Sequence, residues 1–105
     1  APYDQSKRGA ETLIKLFIQK YPLDVRIARI FNTYGPGMRL RDGRIVTNFT
    51  AALLDNKPMI IYGDGTQTRS LCYIDDMVNG LYALLLCDLH DSSISERVFN
   101  LGNPE

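Results

Sequence analysis

Apolar residues recur at helical intervals near the start of the chain and predict an amphipathic helix over residues 4–20. Three or four positions separate successive apolar side chains, so they share one face of the helix. They are Ala10, Leu13, Ile14, Phe17, Ile18 and Tyr21. Pro22 ends the predicted helix, because a proline disfavours helical conformation in the residue before it.

The next segment, residues 25–31, is short, rich in aliphatic side chains and bounded by turn formers. This pattern is typical of a buried parallel strand. Such a strand would deliver Asn32 and Thr33 to its carboxyl end. In open α/β sheets ligands bind at that end, so these two polar residues are candidates for a binding site.

The rest of the pattern predicts five further elements and a turn. They are a helix from Val46 to about Asn56, a strand over 59–62, a turn over 63–65, a strand over 70–73, a helix over 75–86 capped by Asp75 and Asp76, and a strand over 98–101. This order fits an α/β fold, the later half of a doubly wound domain with part of a small substrate-binding lobe interleaved. The lobe is predicted to occupy approximately residues 39–75.

Composition narrows the possible functions. Twelve basic and twelve acidic residues cancel, which argues against a nucleic-acid-binding surface or an electrostatic membrane anchor. The longest apolar run, residues 81–87, is too short to cross a bilayer, so no membrane contact is expected in this segment. Cys72, Cys87 and His90 match no zinc or redox spacing. The two cysteines are interpreted as structural thiols in a reducing compartment, with a disulfide as the alternative.

Tyr3 and Lys7 are the first candidates for chemistry. They lie four positions apart, so a helix would put them on one face. A free phenol has a pKa of about 10, and a nearby cation stabilises its ionised form, so the pair could take a proton from a hydroxyl. The alternative is a surface tyrosine that packs on the lysine stem. Glu11, one turn further on, is expected to form a surface ion pair with Lys7.

Four segments in this order resemble the extended short-chain dehydrogenase/reductase family of NAD-dependent epimerases and dehydratases. They are residues 3–8 (YDQSKR), 26–36 (RIARIFNTYGP), 42–44 (DGR) and 61–70 (IYGDGTQTRS). The resemblance covers the whole chain and is greatest to the UDP-glucuronate decarboxylase subgroup. Ser6, where a glycine is common, and Gly37, where an arginine is common, depart from that subgroup. The related 4,6-dehydratases and 4-epimerases therefore remain alternatives.

The resemblance implies a Rossmann-type fold and a role for each candidate residue. Tyr3 would be the catalytic base, and Lys7 would assist it and hold the nicotinamide ribose of NAD. Thr33 would face the nicotinamide. The implied substrate contacts are Asn32, Arg44, Tyr62 and Arg69, with the arginines on phosphate oxygens. The alternatives are a strand-capping turn residue for Asn32, solvated surface arginines, and a hydrophobic anchor for Tyr62.

The resemblance also implies the reaction, the substrate and the partners. A UDP-sugar would be oxidised at C4, would lose its carboxylate and would be reduced again to UDP-xylose. The family implies a homodimer and a cytoplasmic location, or a Golgi lumen location with an anchor outside this segment.

The chain is expected to be part of a larger enzyme. A length of 105 residues can bury one modest core, not a complete dinucleotide fold and a substrate domain. The glycine-rich turn that receives a pyrophosphate is absent from the sequence. A non-catalytic isolated fragment is therefore the second hypothesis.

Overall fold

The computed structural model describes residues 1–89 and 97–104, and in this part the chain alternates helices with short strands. The elements are α1 (Pro2–Lys20), β1 (Ile27–Ile30), β2 (Thr33–Tyr34), α2 (Ile45–Leu54), β3 (Cys72–Tyr73), α3 (Ile74–Leu86) and β4 (Val98–Leu101). The predicted α/β class is thus confirmed. His90 lies outside the described residues. Within them, no helix combines the length and the apolar character that a bilayer crossing requires.

Helix α1 ends at Lys20 as its sequence predicts, but it begins at Pro2, two residues before the predicted start. Pro2 occupies the first turn, where its missing N–H is not needed. At the other end Tyr21 adopts an extended conformation before Pro22, and its N–H donates a last hydrogen bond to the Phe17 carbonyl at 2.9 Å. Proline therefore ends the helix as expected.

The strands form two parallel pairs, β1 with β4 and β2 with β3. The predicted strand over residues 25–31 is shorter, because the chain changes partner after β1. The Phe31 N–H donates to the Leu101 carbonyl at 2.8 Å, whereas the Asn32 carbonyl accepts from the Cys72 N–H at 2.8 Å. The peptide between Phe31 and Asn32 is therefore the junction between the two pairs.

Helix α3 follows β3 without a connecting loop, and its N-cap is Tyr73. The prediction that Asp75 and Asp76 cap this helix is wrong. Both lie inside the first turn, where a negative charge still interacts favourably with the helix dipole. At the opposite end, Arg26 Nη2 donates to the carbonyl of Cys87, the C-cap residue, at 2.7 Å. This bond attaches the end of α3 to the segment that enters β1.

The predicted strand over residues 59–62 does not form. Its apolar residues have no neighbouring strand among the described residues, and all four are exposed. Local polar contacts shape the loop that follows. Asp64 accepts hydrogen bonds from the N–H and the hydroxyl of Thr66, and Gln67 Nε2 donates to the Tyr62 carbonyl at 2.7 Å. The predicted strand over 70–73 is shortened to β3 for the same reason, since only Cys72 and Tyr73 find a partner.

The described core is small. Its buried apolar residues are Cys72, Met77 and Leu89, and Thr47 is the buried polar residue. The Cα radius of gyration is 17.6 Å, against about 13 Å for a compact domain of this length. The accessible surface of 8795 Å² also exceeds the roughly 6,000 Å² expected for this mass. Much apolar surface therefore stays open, and α1 contains no buried residue.

Candidate active site

A cleft of about 550 Å³ lies at the carboxyl end of β1. It brings together five of the seven residues that the sequence predicts for the site: Tyr3, Asn32, Thr33, Arg44 and Arg69. Its other walls are formed by apolar side chains, among them Ile30, Met38 and Val46. Tyr3 and Asn32 thus share one cleft, although 29 positions separate them in the sequence.

Lys7 lies beside this cleft. It lines an adjoining cavity of about 690 Å³ between α1 and β1, and Tyr3 forms part of both cavities. The Lys7 ammonium lies over the Tyr3 ring, with Nζ 5.5 Å from the ring centroid. Cation and ring attract each other in this arrangement. The four-residue spacing therefore produces the predicted proximity, and the ammonium contacts the face of the ring.

A salt bridge between Glu11 and Arg29 joins α1 to β1. Both carboxylate oxygens of Glu11 accept from the guanidinium, at 2.7 Å from Nε and 2.8 Å from Nη2. The hydrogen bond from Arg29 is the main reason that the pKa of Glu11 lies below its usual value. The expected ion pair between Glu11 and Lys7 is therefore wrong, because the carboxylate pairs across elements with Arg29. This bridge links β1 to the side of α1 that lines the cavity with Tyr3 and Lys7.

Hydrogen bonds to β3 and to Phe31 hold the backbone around Asn32 and Thr33. The Asn32 carbonyl is bound by β3, and the Thr33 hydroxyl donates to the Phe31 carbonyl at 2.9 Å. Thr33 is also the first residue of β2. The Asn32 side chain therefore lines the cleft from a fixed point between two strand pairs.

Asp42 organises the start of α2 and contacts Arg44. Its Oδ1 accepts from the Thr47 hydroxyl at 2.7 Å and from the Arg44 N–H at 3.2 Å, and its Oδ2 lies 3.3 Å from Arg44 Nε. The hydrogen bond from Thr47 is the largest of the effects that lower the pKa of Asp42. The sequence analysis gave no role to Asp42 or Thr47. An aspartate two residues before a helix N-cap, with glycine between, is the signal that could have identified them.

Tyr62 does not line the cleft that contains Tyr3. It lines a second cavity of about 370 Å³ with Phe49, Gln67 and Arg69, among others. Arg69 belongs to both cavities and therefore connects them. Tyr62 is 78% exposed, so the described residues alone do not enclose its ring.

Comparison with known proteins identifies relatives over the whole chain. Residues 1–102 match the NAD dependent epimerase/dehydratase family. The chain is 53% identical over 102 residues to UDP-glucuronic acid decarboxylase 1 of Arabidopsis thaliana, and 46% identical over 105 residues to UDP-glucuronic acid decarboxylase 1 of Xenopus tropicalis. These alignments cover 97% and 100% of this chain but only 22% and 24% of the relatives.

Solved structures give the same family. UDP-glucuronic acid 4-epimerase from Bacillus cereus, in complex with UDP-glucuronic acid and NAD, superposes with a TM-score of 0.85 and 33% identity over 100% of this chain and 32% of its own. The NAD-dependent NDP-hexosamine 5,6-dehydratase TunA gives a TM-score of 0.82 at 34% identity, over 100% of this chain and 33% of its own. The predicted family and its Rossmann-type fold class are confirmed. The chain belongs to the NAD dependent epimerase/dehydratase family.

Proposed function

We propose that this chain is the part of an NAD-dependent UDP-glucuronate decarboxylase that carries the tyrosine–lysine pair and a portion of the substrate site. The observation that carries the proposal is the cleft in which Tyr3 meets Asn32, Arg44 and Arg69. The decarboxylase is favoured over related activities because identity to curated decarboxylases is 46–53%, compared with 33% to the 4-epimerase.

The side chains present fit part of an NAD site. Tyr3, Lys7 and Thr33 offer two hydroxyls and an ammonium along one side of the cleft and its neighbouring cavity. These groups suit the hydroxyls and amide of a nicotinamide riboside. NAD bound there would accept a hydride from C4 of the sugar and later return it.

Tyr3 has the role of proton acceptor. Its phenol oxygen would take the proton of the sugar C4 hydroxyl as hydride leaves the same carbon. The Lys7 ammonium lies over the ring, and a cation there would stabilise the negative charge that develops on the phenol. The resulting C4 ketone is β to the C5 carboxylate, so loss of carbon dioxide leaves a stabilised enolate.

Arg44 and Arg69 suit the anionic part of the substrate. A guanidinium can donate two parallel hydrogen bonds to phosphate oxygens. Arg69 also lines the cavity that contains Tyr62, and an aromatic ring in that cavity suits a stacked uracil. The diphosphate would then bridge the two cavities, with the sugar next to Tyr3.

A product assay tests the proposal. The complete protein that contains this segment is incubated with UDP-glucuronate and NAD, and both released carbon dioxide and nucleotide sugars are measured. Carbon dioxide with UDP-xylose supports the decarboxylase. The second candidate, a 4-epimerase, is favoured by the structural similarity to the Bacillus cereus enzyme. It would instead give UDP-galacturonate with the carboxylate retained.

We also propose that the complete protein is a homodimer and that it is located in the cytoplasm. Leu13, Leu16 and Phe17 are exposed on α1 and form an apolar surface suited to pairing. Cys72 and Cys87 are free thiols, which suits a reducing compartment. Fractionation of cells that express the tagged complete protein distinguishes the cytoplasm from the alternative, a Golgi lumen location.

A further inference from the structure

Asp42 makes three contacts at the point where the loop from β2 enters α2. Its carboxylate accepts hydrogen bonds from the Thr47 hydroxyl and from the Arg44 N–H, and it forms an ion pair with Arg44 Nε. Thr47 is only 3% exposed, so this contact anchors the carboxylate to a buried side chain. Gly43 lies between the two charged residues with φ +83°, a left-handed conformation that glycine adopts without strain.

One of these contacts, the ion pair at 3.3 Å, involves the guanidinium of Arg44. The Asp42 carboxylate lies against Nε, which leaves the Nη1 and Nη2 edge for another acceptor. Arg44 lines the cleft with Tyr3 and Asn32. A guanidinium edge with two parallel donors matches an anionic group with two oxygens, such as a phosphate or a carboxylate.

We infer that Asp42 is a positioning residue: it holds Arg44 so that the terminal nitrogens meet an anionic group of the sugar nucleotide. This inference rests on the proposed function, since it takes the ligand to be a UDP-sugar. Asp42 itself does not line the cleft, and it acts through Arg44.

Binding measurements on the complete protein test the inference. Asp42→Asn keeps an oxygen acceptor for Thr47 and for the Arg44 N–H but removes the charge opposite Nε, and asparagine serves as well as aspartate near a helix start. We expect its affinity for UDP-glucuronate to fall about three- to tenfold, with the melting temperature nearly unchanged. Arg44→Met should reduce the affinity at least as much.

The double variant gives the decisive readout. If Asp42 acts through Arg44, Asp42→Asn should change the affinity less than about twofold in the Arg44→Met background. An equal loss in both backgrounds would overturn the inference, and so would an Arg44→Met variant that binds as tightly as the wild type. Asp55→Asn is the matched control, because Asp55 lies at the opposite end of α2 in an exposed pair with Lys57.

Binding of UDP-glucose and of UDP-glucuronate identifies the anionic group that Arg44 contacts. A turnover assay separates the proposed decarboxylase activity from the proposed role of Asp42. An equal loss for UDP-glucose and UDP-glucuronate in Arg44→Met indicates the diphosphate. A loss for UDP-glucuronate alone indicates the sugar carboxylate, and either result supports the inference. A complete protein that binds UDP-glucuronate but releases no carbon dioxide contradicts the decarboxylase, while the binding data still decide the role of Asp42. A protein that binds neither ligand contradicts both proposals.

Discussion

Tyr3 reaches the cleft from the first turn of α1, close to Lys7 and opposite the polar residues that follow β1. This position separates its proposed chemistry from binding. In the proposed reaction the phenol oxygen would be needed only when a proton moves, whereas the two arginines would hold the ligand without it. The role of each side chain can therefore be measured separately.

Tyr3→Phe removes the proposed proton acceptor and keeps the ring on which the Lys7 ammonium lies. In the complete protein we expect kcat to fall by about 10² to 10⁴, because a positioned acid or base contributes that much. Calorimetry should give UDP-glucuronate binding close to that of the wild type. Tyr82→Phe, at an exposed position on α3, is the control and should keep full activity. A Tyr3→Phe enzyme with near-normal kcat would exclude the phenol as the base.

At this scale, five of the seven residues predicted from the motifs line one cleft, but the motifs did not indicate how those residues are held. Tyr3, Asn32 and Arg44 lie in three separate motifs, and the fold brings them to one cleft. Asp42 escaped prediction because its role depends on the turn at Gly43 and on a buried Thr47, and both depend on tertiary packing. The roles assigned to the seven site residues stay predictions until variants are measured.

Among elements, α1 and β1 lie on either side of the cavity that contains the tyrosine–lysine pair. The Glu11–Arg29 bridge supplies a polar link between them, while α1 buries none of its residues. A sequence pattern favours the nearest lysine as partner for Glu11. The pairing with Arg29 across 18 positions depends on the fold and could not be read from helical spacing.

Glu11→Gln should lower the melting temperature of the complete protein at neutral pH. The pKa of Glu11 is lowered from 4.5 in the folded state, so its stabilising contribution is complete above that value and is lost as the pH falls through the folded-state pKa. The difference between wild type and Glu11→Gln should therefore stay constant at higher pH and narrow as the pH falls below about 4.5. Asp55→Asn, in a looser exposed pair at 3.9 Å, should change the melting temperature less. A difference that widens on acidification would contradict the proposed bridge.

Gly35 lets β2 approach the start of α3. A Cβ at this position would lie 2.3 Å from Ile74 Cγ2, so the helix would have to move. We expect Gly35→Ala to destabilise the complete protein by about 1–3 kcal/mol, measured by chemical denaturation. Gly80→Ala is the control, because its Cβ would meet Leu101 only at 3.7 Å, and alanine favours a helix. Equal stability of both variants would show that β2 and α3 are less closely packed than described.

The long amphipathic helix could be predicted from the sequence, whereas the short paired strands β2 and β3 could not. α1, with seventeen predicted helical positions and a proline stop, needed no tertiary information. β2 and β3 have two residues each and exist because they pair with one another. The apolar residues 59–62 show the converse, since a strand-like composition without a neighbouring strand leaves an exposed loop. The predicted boundaries of the substrate lobe, residues 39–75, stay a prediction.

For the molecule as a whole, the main feature of the isolated chain is its exposed apolar surface. Its radius of gyration of 17.6 Å and its small core show that these residues do not cover their own apolar side chains. In the solved neighbours the matched region is about a third of the chain, so other segments are available there to cover it.

The isolated 105-residue chain should bind a hydrophobic dye strongly and should not bind NAD. Ile60, Ile61 and Leu85 are examples of apolar side chains that stay more than 60% exposed. The sequence has no glycine-rich turn for the pyrophosphate. Dye fluorescence measures the exposed apolar surface, and calorimetry measures NAD binding. Both are compared between the isolated chain and the complete protein. Saturable NAD binding by the isolated chain at micromolar concentration would contradict the expectation.

If the proposed dimer pairs through α1, Leu16→Glu should convert the complete protein from two copies to one. A charge in a buried apolar interface is costly unless it is paired. Light scattering after size-exclusion chromatography measures the mass of the particle. Leu53→Glu on α2, which is also well exposed in the described chain, is the control and should leave the mass unchanged. A Leu16→Glu protein that keeps the wild-type mass would place the contact between copies elsewhere.

The change of strand partner at Phe31 and Asn32 has a mechanical consequence. Phe31 is bonded to Leu101 through its N–H and Asn32 to Cys72 through its carbonyl, so these two neighbouring residues link the two strand pairs. If the proposed sugar nucleotide shifted one pair against the other, the backbone on either side of Asn32 would have to take up the change. Isotope-edited spectroscopy of the Asn32 side chain, with and without UDP-glucuronate, would measure it.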